Sequence, residues 1–187
     1  MKVAVLDHGM GNLRSVAKAL EAAGADVTVT AEPDAVVGSD GLCVPGQGIF
    51  GRCMSGLAEL GLEDTVRRWI DDDRPYFGIC LGMQVLFEHS EEGMQKGLGV
   101  LPGKVTKLTG NVPVPHMGWN TVNETYFYFD HSFAAHPDDA DSVSGWCEHG
   151  ERFAARVDVG SMTGVQFHPE KSGPDGIALL KEWISDS

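Results

Sequence analysis

Apolar residues recur along this chain with two spacings, and the switch between them organises the fold. Residues 3–6 form an unbroken apolar run, the mark of a buried strand, and a turn at residues 9–11 follows. Leu13, Val16, Ala17 and Leu20 then recur at i, i+3, i+4 and i+7, which predicts an amphipathic helix starting at Asn12 and stopping near Gly24. Further strands are expected over residues 27–30 and 41–44, the second cut short by Pro45-Gly46. Helical stretches are expected over 50–60 and 62–71, and the run Pro75-Tyr76-Phe77 leads through a bend into a helix over 83–88. Strands that alternate with helices predict a parallel α/β sheet.

After Leu98 the helical period gives way to short apolar segments at 100–108, 126–129, 144–148 and 153–157, which predict an antiparallel extension. A strand over 162–167 and a helix over 177–184 come last. No internal repeat, low-complexity tract or linker interrupts the 187 residues. A single α/β domain over 1–187 is therefore expected, with a mostly parallel central sheet flanked by helices.

Composition narrows the function classes. A hydrophobic content of 42% fits a packed chain rather than a disordered one. No apolar stretch approaches the roughly 20 residues of a membrane span, so no membrane association is expected. The opening Met1-Lys2-Val3-Ala4-Val5-Leu6-Asp7 is too short and too soon interrupted by acid for a secretory leader, which predicts a cytoplasmic location. Net charge is −13, from 27 acidic and 14 basic residues, and disfavours nucleic acid as a partner because phosphate binding needs basic surface. Cys43, Cys53, Cys80 and Cys147 show neither a C-x-x-C pair nor metal-ligand spacing, so reduced thiols and no metal are expected. His116, His131 and His136 fall in expected loops at irregular spacing and read as hydrogen-bonding loop residues. The Gly9-x-Gly11 turn lacks the third glycine of a dinucleotide fingerprint, Arg14 standing in its place.

Chemistry concentrates at Gly78-Ile79-Cys80-Leu81-Gly82. A strand, a sharp turn and a helix, with glycines two residues to either side of a thiol, make the cysteine counterpart of the G-x-S-x-G nucleophile elbow. The helix N-terminus favours thiolate over thiol. A cysteine nucleophile needs a base and a group that holds the base in its working tautomer. Gly164-Val165-Gln166-Phe167-His168-Pro169-Glu170 supplies both. In an extended segment His168 and Glu170 point to the same side, and Pro169 keeps His168 out of the helical region. The carboxylate then accepts from the imidazole while the other ring nitrogen faces the thiol. A lone histidine at a strand end is more often structural; the elbow and Pro169-Glu170 change that balance. Acyl transfer also needs donors for a developing oxyanion. The Leu81 N–H is the first expected donor, and the turn Pro45-Gly46-Gln47-Gly48, through Gln47 or Gly48, the source of the second. Residues 7–9, 45–48, Cys80 and His168 all follow expected strands, so one carboxyl edge of the sheet should gather them.

Together these motifs resemble the class I (triad) glutamine amidotransferases, a flavodoxin-like fold family. Gly9-x-Gly11-Asn12-Leu13, Pro45-Gly46-x-Gly48-x-Phe50, Pro115-His116-Met117-Gly118-Trp119-Asn120 and Tyr128-Phe129-x-His131-Ser132 carry the likeness nearly end to end. They bring it nearest to the glutaminase subunits of imidazole glycerol phosphate synthase. The resemblance implies that Cys80 attacks the side-chain amide of L-glutamine, giving a glutamyl thioester and ammonia. His168 would pass the proton to the leaving amine and then activate water, with Glu170 orienting it. Gln84 and Glu92 would hold the substrate, with the Ser132–Phe133 backbone at its carboxylate end. Asn12, Trp119 and Tyr128 would meet a separate (β/α)8-barrel cyclase subunit in a heterodimer. Ammonia would cross that face to the barrel, where imidazole glycerol phosphate and an aminoimidazole carboxamide ribotide are made in histidine biosynthesis. The turn at 45–48 would be the switch by which the partner raises a low basal activity, and no cofactor is implied.

Four positions depart from the family pattern: His8, Gln47 where valine is usual, Asp130 where an apolar residue is usual, and Phe133 where tyrosine is common. None belongs to the triad. Three other readings remain: the glutaminase of anthranilate or aminodeoxychorismate synthesis, a non-catalytic regulatory module, and a cysteine peptidase or esterase. The segment 115–120 argues against the first and intact Cys80, His168 and Glu170 against the second. Gln84 and Glu92 suit a small amino-acid substrate better than a peptide.

Overall fold

The computed structural model describes residues 1–186; Ser187, the last residue of the expected domain, lies outside them. The N-terminal half alternates strand and helix: β1 (Lys2–Leu6), α1 (Leu13–Ala23), β2 (Asp26–Thr30), α2 (Pro33–Val37), β3 (Gly41–Gly46), α3 (Phe50–Glu59), α4 (Glu63–Asp71) and β4 (Tyr76–Cys80). The short α5 (Leu81–Gln84) leads into β5 (Phe87–Ser90), β6 (Gln95–Lys96), β7 (Leu101–Lys107), β8 (His116–Val122), β9 (Thr125–His131) and β10 (Phe133–Pro137). After these come β11 (Val143–His149), β12 (Glu151–Val159), β13 (Met162–Val165) and α6 (Gly173–Asp186).

Among the described residues one sheet runs in the order β2-β1-β3-β4-β13-β12-β10-β7-β5-β6, with β11 added to β12. The five strands β2, β1, β3, β4 and β13 are mutually parallel. From β12 through β10 to β7 the pairing is antiparallel, the extension expected from the second half. Helices cover both faces. Leu57, Val66 and Trp69 of α3 and α4 pack on one, and Leu20, Leu180 and Trp183 of α1 and α6 on the other. Both faces of β1, β3 and β4 are thus buried, which is why these strands read as unbroken apolar runs.

Local chemistry fixes the ends of α1. The Asn12 side chain accepts from Ser15 N, and Gly24 closes the helix in the left-handed region at φ 105°. The buried stripe is Val16, Ala19, Leu20 and Ala23, rotated slightly from the spacing-based stripe, since Leu13 and Ala17 are only half-buried.

The fold departs from the sequence-based expectation in three places. The helix over 83–88 ends at Gln84, and Phe87–Ser90 becomes a strand beside β7. Phe87 is fully buried there, so tertiary pairing overrides a short local helical preference. His116, His131 and His136 lie in strands rather than loops, and His116 stands directly opposite His131. The period-2 pattern of β8 is concealed because its inward positions are His116, Gly118, Asn120 and Val122, only one of them an aliphatic residue. The final parallel strand stops at Val165, and His168-Pro169-Glu170 enters a 3₁₀ turn, Pro169–Lys171, instead of running on extended. No helix among the described residues is long and apolar enough to cross a membrane.

Candidate active site

The carboxyl ends of β1, β3, β4 and β13 are adjacent in the sheet, so the four motifs that follow them meet at one edge. Cys80 stands at the end of β4 with φ 54° and ψ −103°, a left-handed backbone that a residue with a Cβ rarely adopts. The bend is packed so tightly that only glycine fits on either side of it. A Cβ on Gly78 would lie 2.5 Å from the Gly82 carbonyl oxygen, and one on Gly82 would overlap the Val44 carbonyl. Buried Tyr76 ties the two arms of the bend together by donating its hydroxyl to Gly82 O at 2.7 Å.

His168 Nδ1 donates to Glu170 Oε1 at 2.8 Å, both side chains 3% exposed. The expected pair is present, but the 3₁₀ turn brings the carboxylate round, not strand alternation. His168 Nε2 is buried and makes no hydrogen bond of ordinary geometry. Burial alone would lower the imidazole pKa. The neighbouring Cys80 thiol and Glu170 carboxylate outweigh it and raise the value to about 10. The backbone at His168 is pinned from both sides, its N–H donating to Tyr128 O at 2.8 Å and its carbonyl accepting from Ser172 Oγ at 2.6 Å.

Cys80, Leu81, Gln47, Gly48, Gln84, Glu92, Ser132 and Phe133 line a single cavity of about 280 Å³. The structure thus brings together the candidate thiol, oxyanion and substrate positions. One amino acid side chain with its backbone charges suits a cavity of that size. Glu92 reaches across from the segment after β5 and accepts from Phe50 N at 2.7 Å, so its charge is fixed at the N-terminus of α3. Gln84 donates from Nε2 to Phe133 O and to Gln166 Oε1, each at 2.9 Å. The 45–48 turn abuts the elbow: a Cβ on Gly46 would come within 2.5 Å of Leu81 Cβ. His8 and Gln47 hold the turn from two sides, through His8 Nε2 on Pro45 O at 2.5 Å and Gln47 Nε2 on Asp130 Oδ2 at 2.9 Å.

The three candidate interface residues stand apart from the cavity. Trp119 and Tyr128 are register partners on the outer face of the β8–β9 ribbon, their rings in T-shaped contact at 6.1 Å, and Trp119 is 56% exposed. Asn12 is exposed but already committed to capping α1. Cys43, Cys53 and Cys147 are buried with Cys80, and burial pushes their thiols well up, to about 12 for Cys53 and Cys147. No cluster of His, Cys, Asp or Glu suited to a metal ion occurs among the described residues.

One buried polar residue escaped the sequence reading. Gln166, fully buried one step after β13, donates from Nε2 to Cys80 Sγ at 3.4 Å. Its signal was a glutamine inside an otherwise apolar strand end, two residues before His168.

A thiol at a strained elbow beside an imidazole–carboxylate pair is equipped for acyl transfer from a small substrate. Known proteins place the arrangement. The chain is 46% identical to the imidazole glycerol phosphate synthase subunit HisH of Nocardia farcinica, an alignment covering 97% of this chain and 96% of that protein. It is 43% identical to the HisH subunit of Halobacterium salinarum, over 97% of this chain and 92% of that one. A crystal structure of a glutamine amidotransferase superposes with a TM-score of 0.77 at 21% identity, covering 98% of both chains. The model of the class-I glutamine amidotransferases matches residues 4–186, which takes in every strand and helix but the first half of β1, and the chain belongs to that family.

Proposed function

We propose that this chain is the glutaminase subunit of an imidazole glycerol phosphate synthase, a single catalytic domain over 1–187. The observation that carries the reading is the meeting of Cys80, the His168–Glu170 pair and the glutamine-sized cavity at one sheet edge. Full-length identity to HisH subunits favours this synthase over those making anthranilate or aminodeoxychorismate.

In this reading the Cys80 thiolate adds to the side-chain amide carbon of L-glutamine, and the Leu81 N–H, joined by the N–H of Gln47 or Gly48, stabilises the oxyanion. The His168 imidazolium gives its proton to the departing amine, so ammonia leaves and a glutamyl thioester remains. Neutral His168 then takes a proton from water, whose oxygen adds to the thioester carbon; glutamate leaves and the thiolate returns. Glu170 fixes the Nδ1–H tautomer and supports the imidazolium. Glu92, Gln84 and the Ser132–Phe133 backbone bind the amino-acid end of the substrate. Trp119, Tyr128 and Asn12 face a (β/α)8-barrel cyclase subunit in a cytoplasmic heterodimer, and ammonia passes through that contact.

The test is glutamate release from glutamine by the chain alone and by the chain mixed with the barrel subunit and its nucleotide substrate, beside a Cys80→Ala control. Release that is strong only in the ternary mixture, and absent in the control, supports the whole reading. Release indifferent to the barrel keeps the triad and rejects the synthase. No release with the complex still forming rejects catalysis altogether.

A further inference from the structure

Gln166 lies outside every role assigned above, yet it is the fully buried polar side chain that touches the thiol. The direction of that contact can be fixed without seeing hydrogens. The Phe133 backbone carbonyl accepts and cannot donate, so the Gln84 atom 2.9 Å from it must be the amide nitrogen. That nitrogen's second N–H points at Gln166, 2.9 Å away, which therefore presents its oxygen to Gln84. Gln166 is then left with its NH2 group facing Cys80 Sγ. A reversed Gln166 would set two donors against each other in a dry interior.

The carbonyl that sets this order is itself saturated. His131 Nδ1 lies 2.8 Å from Phe133 O and must also donate, which makes His131 Nε2 an acceptor for His116 Nδ1 at 2.9 Å. His116 Nε2 in turn accepts from Asn120 Nδ2 at 3.1 Å. Burial, with repulsion from His149 at His116 and from His116, His149 and His168 at His131, holds both histidines neutral, near pKa 4 for His116 and 3 for His131, so both tautomers are locked at neutral pH. With both lone pairs of the Phe133 carbonyl taken, Gln84 has no competing orientation.

We propose that Gln166 is a positioning residue for the Cys80 thiolate, donating a hydrogen bond whose direction is imposed by the Phe133 carbonyl through Gln84. The donor holds Sγ at one point on the cavity wall and stabilises its anionic form before substrate arrives. It also leaves Gln84 with a free Oε1 as the cavity's acceptor. The catalytic consequence rests on the glutaminase reading; the thiolate–amide bond does not.

The test combines one variant with one measurement on otherwise native protein. Gln166→Met keeps the volume and removes the donor. The pH at which iodoacetamide alkylation of Cys80 reaches half its plateau rate should rise by roughly one unit in this variant, the scale of one hydrogen bond to a charged acceptor. The other three thiols lie outside the cavity that Cys80 lines, and burial pushes them well up, so they do not compete. An unchanged midpoint in folded Gln166→Met overturns the proposal. If Gln166→Met does not fold, side-chain amide NMR decides. One Gln166 Nε2 proton should be displaced in the wild-type chain and return to the free-amide position in Cys80→Ala, and identical spectra overturn the proposal. Neither readout uses glutamine. A wild-type chain that shows both effects yet never hydrolyses glutamine would reject the proposed function and leave the thiol assignment standing.

Discussion

Gln47 and Asp130, two of the three departures from the family pattern that line the cavity, are bonded to each other. The Gln47 amide donates to Asp130 Oδ2 at 2.9 Å, and Lys171 Nζ lies 3.7 Å from the same oxygen. Asp130 is on the outer face of β9 with Tyr128, while Gln47 belongs to the turn proposed to supply an oxyanion donor. The bond tethers the turn to the β8–β9 ribbon, the proposed partner face.

That tether should restrain the turn in the isolated chain. Rotating the Gly46–Gln47 peptide toward the cavity has to break or stretch a bond to a charged acceptor, worth about 1.5–3 kcal/mol. Gln47→Val is therefore expected to raise glutamate release by the chain alone by roughly tenfold, with Asp130→Leu acting in the same direction. Basal rates at or below wild type in both variants would show that the tether does not restrain the turn.

Backbone strain at Cys80 predicts an opposition between stability and function. At φ 54° a side chain costs of order 1–3 kcal/mol, and glycine occupies the region freely. Cys80→Gly should be inactive and more stable than Cys80→Ala by about 1 kcal/mol in urea unfolding. Equal midpoints would mean that the surrounding packing, not the local backbone, sets the energy of the bend.

The sign of the His168 shift gives a pH dependence. Its folded value, about 10, lies above the ordinary 6.5, so the folded chain binds this proton more tightly than the unfolded one. The resulting stability is complete below pH 6.5 and is lost as pH rises from there to about 10. Glu170→Gln removes the carboxylate but keeps the burial, so the imidazole pKa should drop and that alkaline slope should flatten. NMR titration of His168 together with unfolding across this range checks both. A titration midpoint unmoved by Glu170→Gln would assign the shift to Cys80 alone.

Much of the site was legible because its signals are local. Glycines flanking Cys80, Pro169 between His168 and Glu170, and strands ending just before each motif are all one-dimensional marks of a crowded sheet edge. Other features depend on contacts between distant residues. His116 reads as a loop residue because strand pairing, not periodicity, defines β8, and His131 because β9 runs two residues past its apolar stretch. The 3₁₀ turn at Pro169–Lys171 replaced an extended segment yet brought the same two side chains together. Gln166 carried no message until Gln84 and Phe133, 82 and 33 residues earlier by number, were seen to fix its orientation.

The β8–β9 ribbon joins the proposed partner face to the site by its backbone. Its outer face carries Met117, Trp119 and Tyr126, all more than half exposed, while Phe127 and Phe129 fill the inner face. Tyr128 sits between the two worlds: its ring meets Trp119, and its carbonyl accepts from the N–H of His168 at 2.8 Å. A large, exposed indole at the centre of such a face is the residue type that dominates binding energy, with truncation costing about 2 kcal/mol or more. Trp119→Ala should therefore weaken binding to the barrel subunit by roughly 30-fold or more in calorimetry, with little change in the stability of the isolated chain. If ring contact at Trp119 also steadies Tyr128, the complex at saturating barrel should release less glutamate per second than wild type. Unchanged affinity would remove Trp119 from the interface, and weakened affinity with full turnover at saturation would confine its role to docking.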